Sequence, residues 1–133
     1  MAFVNPKVTC GAIIEKEGKI LLTKRNIPPY KGYWCIPGGH IDWGEKVEEA
    51  MVREIKEEVN LDFKPKFFKY YDEIIPEINW HAVVFIFTGS FSGQIKIEEK
   101  EIEEFKWFSE PEIKSMKLAF IHKEVIEDYF KYV

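Results

Sequence analysis

Apolar residues alternate weakly over residues 8–15, with β-branched side chains around the small pair Gly11-Ala12, and predict a strand. Lys16-Glu17-Gly18-Lys19 predicts a hairpin turn with Gly18 left-handed, and residues 20–24 the returning strand. Residues 26–33 break the pattern with Pro28-Pro29 and Gly32, which is loop chemistry. Residues 46–61 contain no Gly or Pro, and their apolar positions take up a helical period. A long strand is predicted over residues 63–75, with Pro65 near its start, then a loop around Pro76. Residues 80–91 are the strongest strand, and the run 82–87 reads as buried on both faces. Ser92-Gly93 turns the chain; Ile95 and Ile97 alternate ahead of the acidic run 98–104, and residues 105–108 form a last short strand. Ser109-Glu110-Pro111-Glu112 carries a capping serine, an early proline and first-turn acids, so a helix starts there. Residues 120–132 predict a final amphipathic helix with Ile121, Val125, Ile126, Tyr129 and Phe130 on one side. Strand, strand, helix, several strands, helix is an α+β order with a mixed sheet between helices. At 133 residues without repeat or linker, the chain reads as a single domain.

The central helix is unusual in where its acids fall. At about 100° per residue, Val47, Ala50, Met51, Ile55 and Val59 make an apolar stripe. Glu54 projects near the middle of that stripe, Glu58 between Val47 and Met51, and Glu57 on its edge, while Glu48, Glu49 and Lys56 fall outside. Glutamates three and four apart repel one another, and setting them against a core is costly unless something cationic is present. Mg²⁺ takes such oxygen ligands and leaves sites for substrate phosphate. The preceding Gly38-Gly39-His40-Ile41-Asp42-Trp43-Gly44-Glu45 is turn-forming, so the two parts read as a loop–helix that holds a divalent metal against a phosphate chain.

These residues resemble the Nudix box. Gly39, Glu45, Arg53-Glu54-Ile55, Glu57-Glu58 and Leu61 stand at the box positions, and only Asn60 departs, where the family has Gly. That position is a helix C-cap needing a left-handed residue, and Asn serves next best after Gly. Gly32-Tyr33-Trp34-Cys35-Ile36-Pro37 extends the resemblance upstream of the box. The resemblance implies an α/β/α sandwich and hydrolysis of a nucleoside diphosphate linked to another moiety, with Mg²⁺ as cofactor and Mn²⁺ as substitute. It implies Glu57 and Glu58 as metal ligands, Glu54 as a third ligand or as the base near the attacking water, and a metal contact from the Gly39 carbonyl. Glu45 then supports the loop, and Arg53, about 40° around the helix from Glu57, orients a glutamate. A further ligand comes from the acidic run, Glu101 ahead of Glu104. Tyr71, Pro76 and His81 weakly resemble the segment after the box in ADP-ribose pyrophosphatases, which favours ADP-ribose-like substrates over (d)NTPs. A non-catalytic nucleotide-sensing module is the reading from another class, but such domains usually lose box carboxylates that this chain retains. Homodimers are common in the family.

Composition narrows the picture. The net charge of −4 gives no electrostatic case for duplex nucleic acid, so an anionic substrate needs metal or local cations. Lys24 and Arg25 close the second strand as candidate phosphate contacts. The aromatic share of 16% makes Tyr33 and Trp43 candidates to stack on a base, with Trp80 and Phe85 behind them, and His81 a candidate substrate contact. Residues 1–7 lack a long apolar run, which excludes a leader or anchor there and predicts a cytoplasmic protein. Cys10 and Cys35 read as buried free thiols.

Overall fold

The computed structural model describes residues 5–132; residues 1–4, part of the N-terminal segment read above for a leader, and Val133 lie outside it. Two sheets share the work. The first has the order β5-β1-β7-β6, built from β1 (Lys7–Ala12), β5 (Gly38–His40), β6 (Asp62–Ile75) and β7 (Trp80–Ser92), with β1 parallel to β7 and the other pairs antiparallel. In the second, β3 (Lys19–Arg25) pairs with β2 (Glu15–Lys16), β4 (Trp34–Cys35) and β8 (Ile102–Ser109).

Helix α1 (Val47–Val59) covers one side, and α2 (Glu110–Lys114) and α3 (His122–Lys131) cover the other. Alternation along the strands feeds both layers. Ile20, Leu22, Ala82, Val84 and Ile86 pack toward Val125 and Ile126 of α3. Leu21, Cys10, Ala12 and Phe87 pack toward Met51, Ile55 and Val59 of α1. Each of those buried Ile, Leu, Val, Met and Phe side chains contributes about 1.5–3 kcal/mol by leaving water. The arrangement is the α/β/α sandwich expected. Both cysteines are free and buried. Among the described residues, no helix is long and apolar enough to cross a membrane.

Several boundaries move, for physical reasons. The first strand stops at Ala12, because Ile13 and Ile14 cross between the sheets: Ile13 N–H bonds Phe87 O at 2.8 Å and Leu21 N–H bonds Ile14 O at 2.9 Å. Gly38–His40, read as loop, is strand β5 paired with β1. A Cβ on Gly38 would lie 2.0 Å from Cys10 O, so only glycine lets the two backbones meet. The β7 run is not buried on both faces throughout: Val83 and Phe85 are half-buried and His81 is exposed. The loop at Pro76 is a 3-10 turn (Pro76–Ile78), and α3 starts only at His122.

Asn60 is the cap expected of it. It sits at φ 63°, ψ 23°, its N–H bonds Lys56 O at 3.1 Å, and its Nδ2 donates to Gln94 O at 3.2 Å. Asn60→Gly should change stability by less than about 1 kcal/mol, relief of the Cβ strain offsetting the lost exposed bond. Asn60→Val should cost about 1–2 kcal/mol, because a β-branched residue resists the left-handed region. Urea unfolding of the two variants beside the parent checks this; equal midpoints for Gly and Val would refute the cap.

Candidate active site

Strand β5 lies against α1, and this contact makes the floor of a cleft of about 250 Å³. Glu54 and Glu58 reach it from α1, Gly38 and Gly39 from β5, and Glu101 from the segment before β8. A Cβ on Gly39 would overlap the Glu54 carboxyl, so glycine is what lets the carboxyl seat against the strand. The Gly39 carbonyl, at the same floor, faces the Cys10 thiol at 3.6 Å. Glu101 arrives because the acidic segment is strapped to the end of α1: Lys96 N–H bonds Val59 O at 3.0 Å and Glu98 N–H bonds Glu58 O at 2.9 Å.

Arg53 organises the rim. Its Nε and Nη2 donate to the two oxygens of Glu45 at 2.7 and 3.0 Å. Nη1 donates to Glu54 at 3.0 Å and Glu57 at 3.1 Å, and Nη2 also reaches His40 O at 3.1 Å. Glu45 in turn accepts the Asp42 N–H at 3.0 Å, which closes the turn into α1. The guanidinium is therefore fully committed to holding loop and helix together.

The electrostatics are uneven. Burial pushes the Glu58 carboxyl well above the usual carboxylate range, and the charges of Glu54 and Glu101 push it further. Glu54 is raised too, first by burial, with Arg53 pulling the other way. Burial pushes the Cys10 thiol up to about 12, so it takes no part as a thiolate. A carboxyl whose pKa is raised in the folded state favours folding at low pH, and that advantage is lost as pH rises through the folded pKa. In the presence of chelator, the parent should therefore lose stability relative to Glu58→Gln as pH rises above the ordinary glutamate value of 4.5. A divalent cation should raise the parent's melting temperature, more at pH 8 than at pH 5. Melting curves of both proteins at both pH values, with chelator and with Mg²⁺, check this; the same Mg²⁺ gain at both would count against the cluster.

The other expected site residues divide. Arg25 lines the cleft, but its Nε is spent on Pro29 O at 2.6 Å and its guanidinium lies 5.1 Å from the Phe120 ring, so it braces a wall. Lys24, its neighbour on β3, points off the cleft, as strand alternation requires, in register with Trp34 and Glu104. Tyr33 packs edge-on against Tyr30 outside the lining, and Trp43 is fully exposed at the turn before α1. His81 is exposed because it lies on the opposite face of β7 from Trp80, which does line the cleft. Lys24, Tyr33, Trp43 and His81, expected to contact substrate, thus do not line this cleft, while Arg25 does. Glu57 stands on the rim, its side chain 60% exposed and turned to Arg53, and Glu104 is off the lining. Among the described residues, no three His, Cys, Asp or Glu side chains converge as they stand into a metal cage. The donor set still suits a hard cation, since the buried Glu58 faces the charges of Glu54 and Glu101 and only Glu54 of the three is bonded to Arg53.

Glu73, Phe120 and His122 also line the cleft and carried no signal in the sequence. Glu73 occupies an ordinary polar position of a long strand, and only the packing of the segment before α3 buries it to 2% exposure.

The family model of the NUDIX domain matches residues 5–129. The chain belongs to the Nudix hydrolase family. Over 134 aligned residues this Nudix hydrolase is 39% identical to an ADP-ribose pyrophosphatase of Methanocaldococcus jannaschii, covering 98% of this chain and 76% of that protein. An RNA pyrophosphohydrolase of Wolbachia sp. subsp. Brugia malayi is 29% identical, with 88% and 84% covered. Among solved structures, a MutT NUDIX hydrolase from Burkholderia pseudomallei superposes with a TM-score of 0.84 at 32% identity, over 93% of this chain and 98% of that one.

Proposed function

We propose that this Nudix hydrolase cleaves the pyrophosphate bond of a nucleoside diphosphate linked to another moiety, ADP-ribose-like, with Mg²⁺ as cofactor and Mn²⁺ as substitute. The observation that carries the reading is Glu54 and Glu58 seated against a glycine-only stretch of β5 at the floor of the cleft. Glu54, Glu58, Glu101 and the Gly39 carbonyl would hold the cation, with Glu57, which stands on the rim, as a further ligand. The cation supplies the positive charge that lets a nucleophile approach the pyrophosphate. Glu54, partly desolvated and bonded to Arg53, would serve as a ligand or take the proton of the attacking water. Arg53 positions Glu54 and does not touch substrate.

ADP-ribose stands first because the M. jannaschii relative carries that name along nearly the whole of this chain. The name of the Wolbachia relative, an RNA pyrophosphohydrolase, favours a second reading in which RNA is the substrate, beside the (d)NTPs weighed from the sequence. A panel of ADP-ribose, (d)NTPs and triphosphorylated RNA, read by product release with Mg²⁺ and with chelator, decides between them. ADP-ribose should be turned over with the highest kcat/KM, yielding AMP and ribose 5-phosphate. Metal-dependent turnover confined to triphosphates would overturn the substrate, and turnover of nothing would favour a sensing module.

A further inference from the structure

The wall of the cleft opposite the α1 carboxylates is built from β6, β7 and the segment before α3, and the metal chemistry uses none of it. Glu73, nearly fully buried, accepts the Trp80 indole N–H at 2.7 Å on one oxygen and the Ile121 N–H at 3.3 Å on the other. One carboxylate thus ties two cleft-lining elements together: the start of β7 and the residue next to Phe120. A carboxylate offers about four acceptor sites, so each oxygen keeps one free.

Phe120 is held in an unusual backbone state, φ 53°, which costs a non-glycine residue about 1 kcal/mol or more and persists only where its surroundings enforce it. Here they do: Ala119 N–H bonds Trp34 O at 2.9 Å, Arg25 packs on the Phe120 ring, and Tyr30 meets it edge-on at 5.0 Å. The result sets the Phe120 ring 5.0 Å from the Trp80 ring at 44°, an open aromatic corner in the cleft.

His122 supplies the complementary polarity. Its Nδ1 accepts the Ile36 N–H at 3.1 Å, so the neutral ring carries its proton on Nε2. Burial, with the Arg25 charge adding, lowers its pKa to about 3, so the ring is neutral at physiological pH. Nε2 has no partner among the described residues and belongs to a cleft-lining side chain.

We propose that Glu73, Trp80, Phe120 and His122 form an adenine-reading subsite. The purine packs into the Trp80–Phe120 corner, its exocyclic amine donates to Glu73, and its neighbouring ring nitrogen accepts from His122 Nε2. Adenine sets a donor beside an acceptor along one edge; Glu73, which already bonds the N–H of the residue before the histidine, would meet the donor and His122 Nε2 the acceptor. Hypoxanthine places a carbonyl oxygen where the amine was, against a buried carboxylate. A site that pairs a buried polar group with its ligand rejects an analogue that leaves the group unpaired, by at least about tenfold. This inference names the substrate's base and rests on the nucleotide-hydrolase reading above.

The test compares ADP-ribose with its hypoxanthine counterpart, each with Mg²⁺. It also titrates AMP against IMP in chelator, following tryptophan fluorescence, which needs no turnover. The parent protein should favour adenine at least tenfold in kcat/KM, the difference falling on KM, and AMP should quench fluorescence at lower concentration than IMP. Glu73→Gln should bring the two substrates within about threefold of each other. Hydrolysis of both bases with equal KM, or an adenine preference unchanged in Glu73→Gln, overturns the subsite. Absence of all hydrolysis with the AMP preference intact would sink the enzymatic reading and leave the subsite standing. The base swap on the unaltered protein decides the matter even if Glu73→Gln does not fold.

Discussion

Glu58→Gln is expected to lower kcat by about 10²–10⁴-fold while leaving the metal-free protein as stable as the parent or more so. The two signs come from the same geometry. Glu58 is the most buried of the α1 carboxyls, 7% exposed, and it faces the charges of Glu54 and Glu101 with no cation of its own. Ionising it there works against desolvation and repulsion together. Glutamine keeps the shape, can still accept a backbone N–H, and carries no charge. The metal-free melting temperature at pH 7.5 should rise by roughly 4–7 °C, the shift that about 1–2 kcal/mol produces in a domain of this size. The same substitution removes an anionic ligand from the floor of the cleft, so Mg²⁺ should no longer stabilise the variant as it does the parent. Paired melting curves and single-turnover assays at saturating Mg²⁺ provide the check. Near-normal turnover would remove Glu58 from the metal set. A lower metal-free melting temperature would mean that its negative charge is needed for folding.

What the sequence disclosed and what it hid follow one physical division. The α1 pattern was legible because helical periodicity is local: knowing that Glu54 and Glu58 fall on the apolar stripe requires only 3.6 residues per turn. Asn60 was legible for the same reason, since a cap is decided by the conformation of one residue. Strand β5 was not, because Gly38-Gly39-His40 has no alternation, and it becomes a strand only when β1 lies alongside. The wall of the cleft opposite α1 was the least legible. Trp43 and His81 have the right side chains for binding, yet one sits fully exposed on a turn and the other on the far face of β7. Glu73 and Phe120 have unremarked local sequence and acquire their places through contacts 48 residues apart along the chain, such as Glu73 with Ile121. The α1 carboxylates lie on one helix and can be read in a line; the wall opposite them is assembled from three elements and cannot.

The second large effect concerns Arg53, where charge alone is not enough. Arg53→Lys keeps a cation at the rim but should lower the melting temperature and reduce kcat by about 10–100-fold. The guanidinium makes two parallel bonds to Glu45, shares Nη1 between Glu54 and Glu57, and reaches His40 O, five contacts from one planar group. A lysine ammonium is a single point with three donors and cannot span Glu45 on one side and Glu54 on the other. The turn at Asp42 to Glu45 would loosen first, since Glu45 is what connects Arg53 to the Asp42 N–H. Glu54 would then lose the neighbour that offsets its burial, so its pKa should rise further and the acidic limb of the pH–rate profile should move to higher pH. The decisive measurement is the profile of kcat/KM against pH for Arg53→Lys beside the parent, both at saturating Mg²⁺. A uniform drop with the acidic limb in place would make Arg53 a brace for the fold alone. An upward shift of that limb accompanying the drop identifies it as the group that keeps Glu54 ionised and in position.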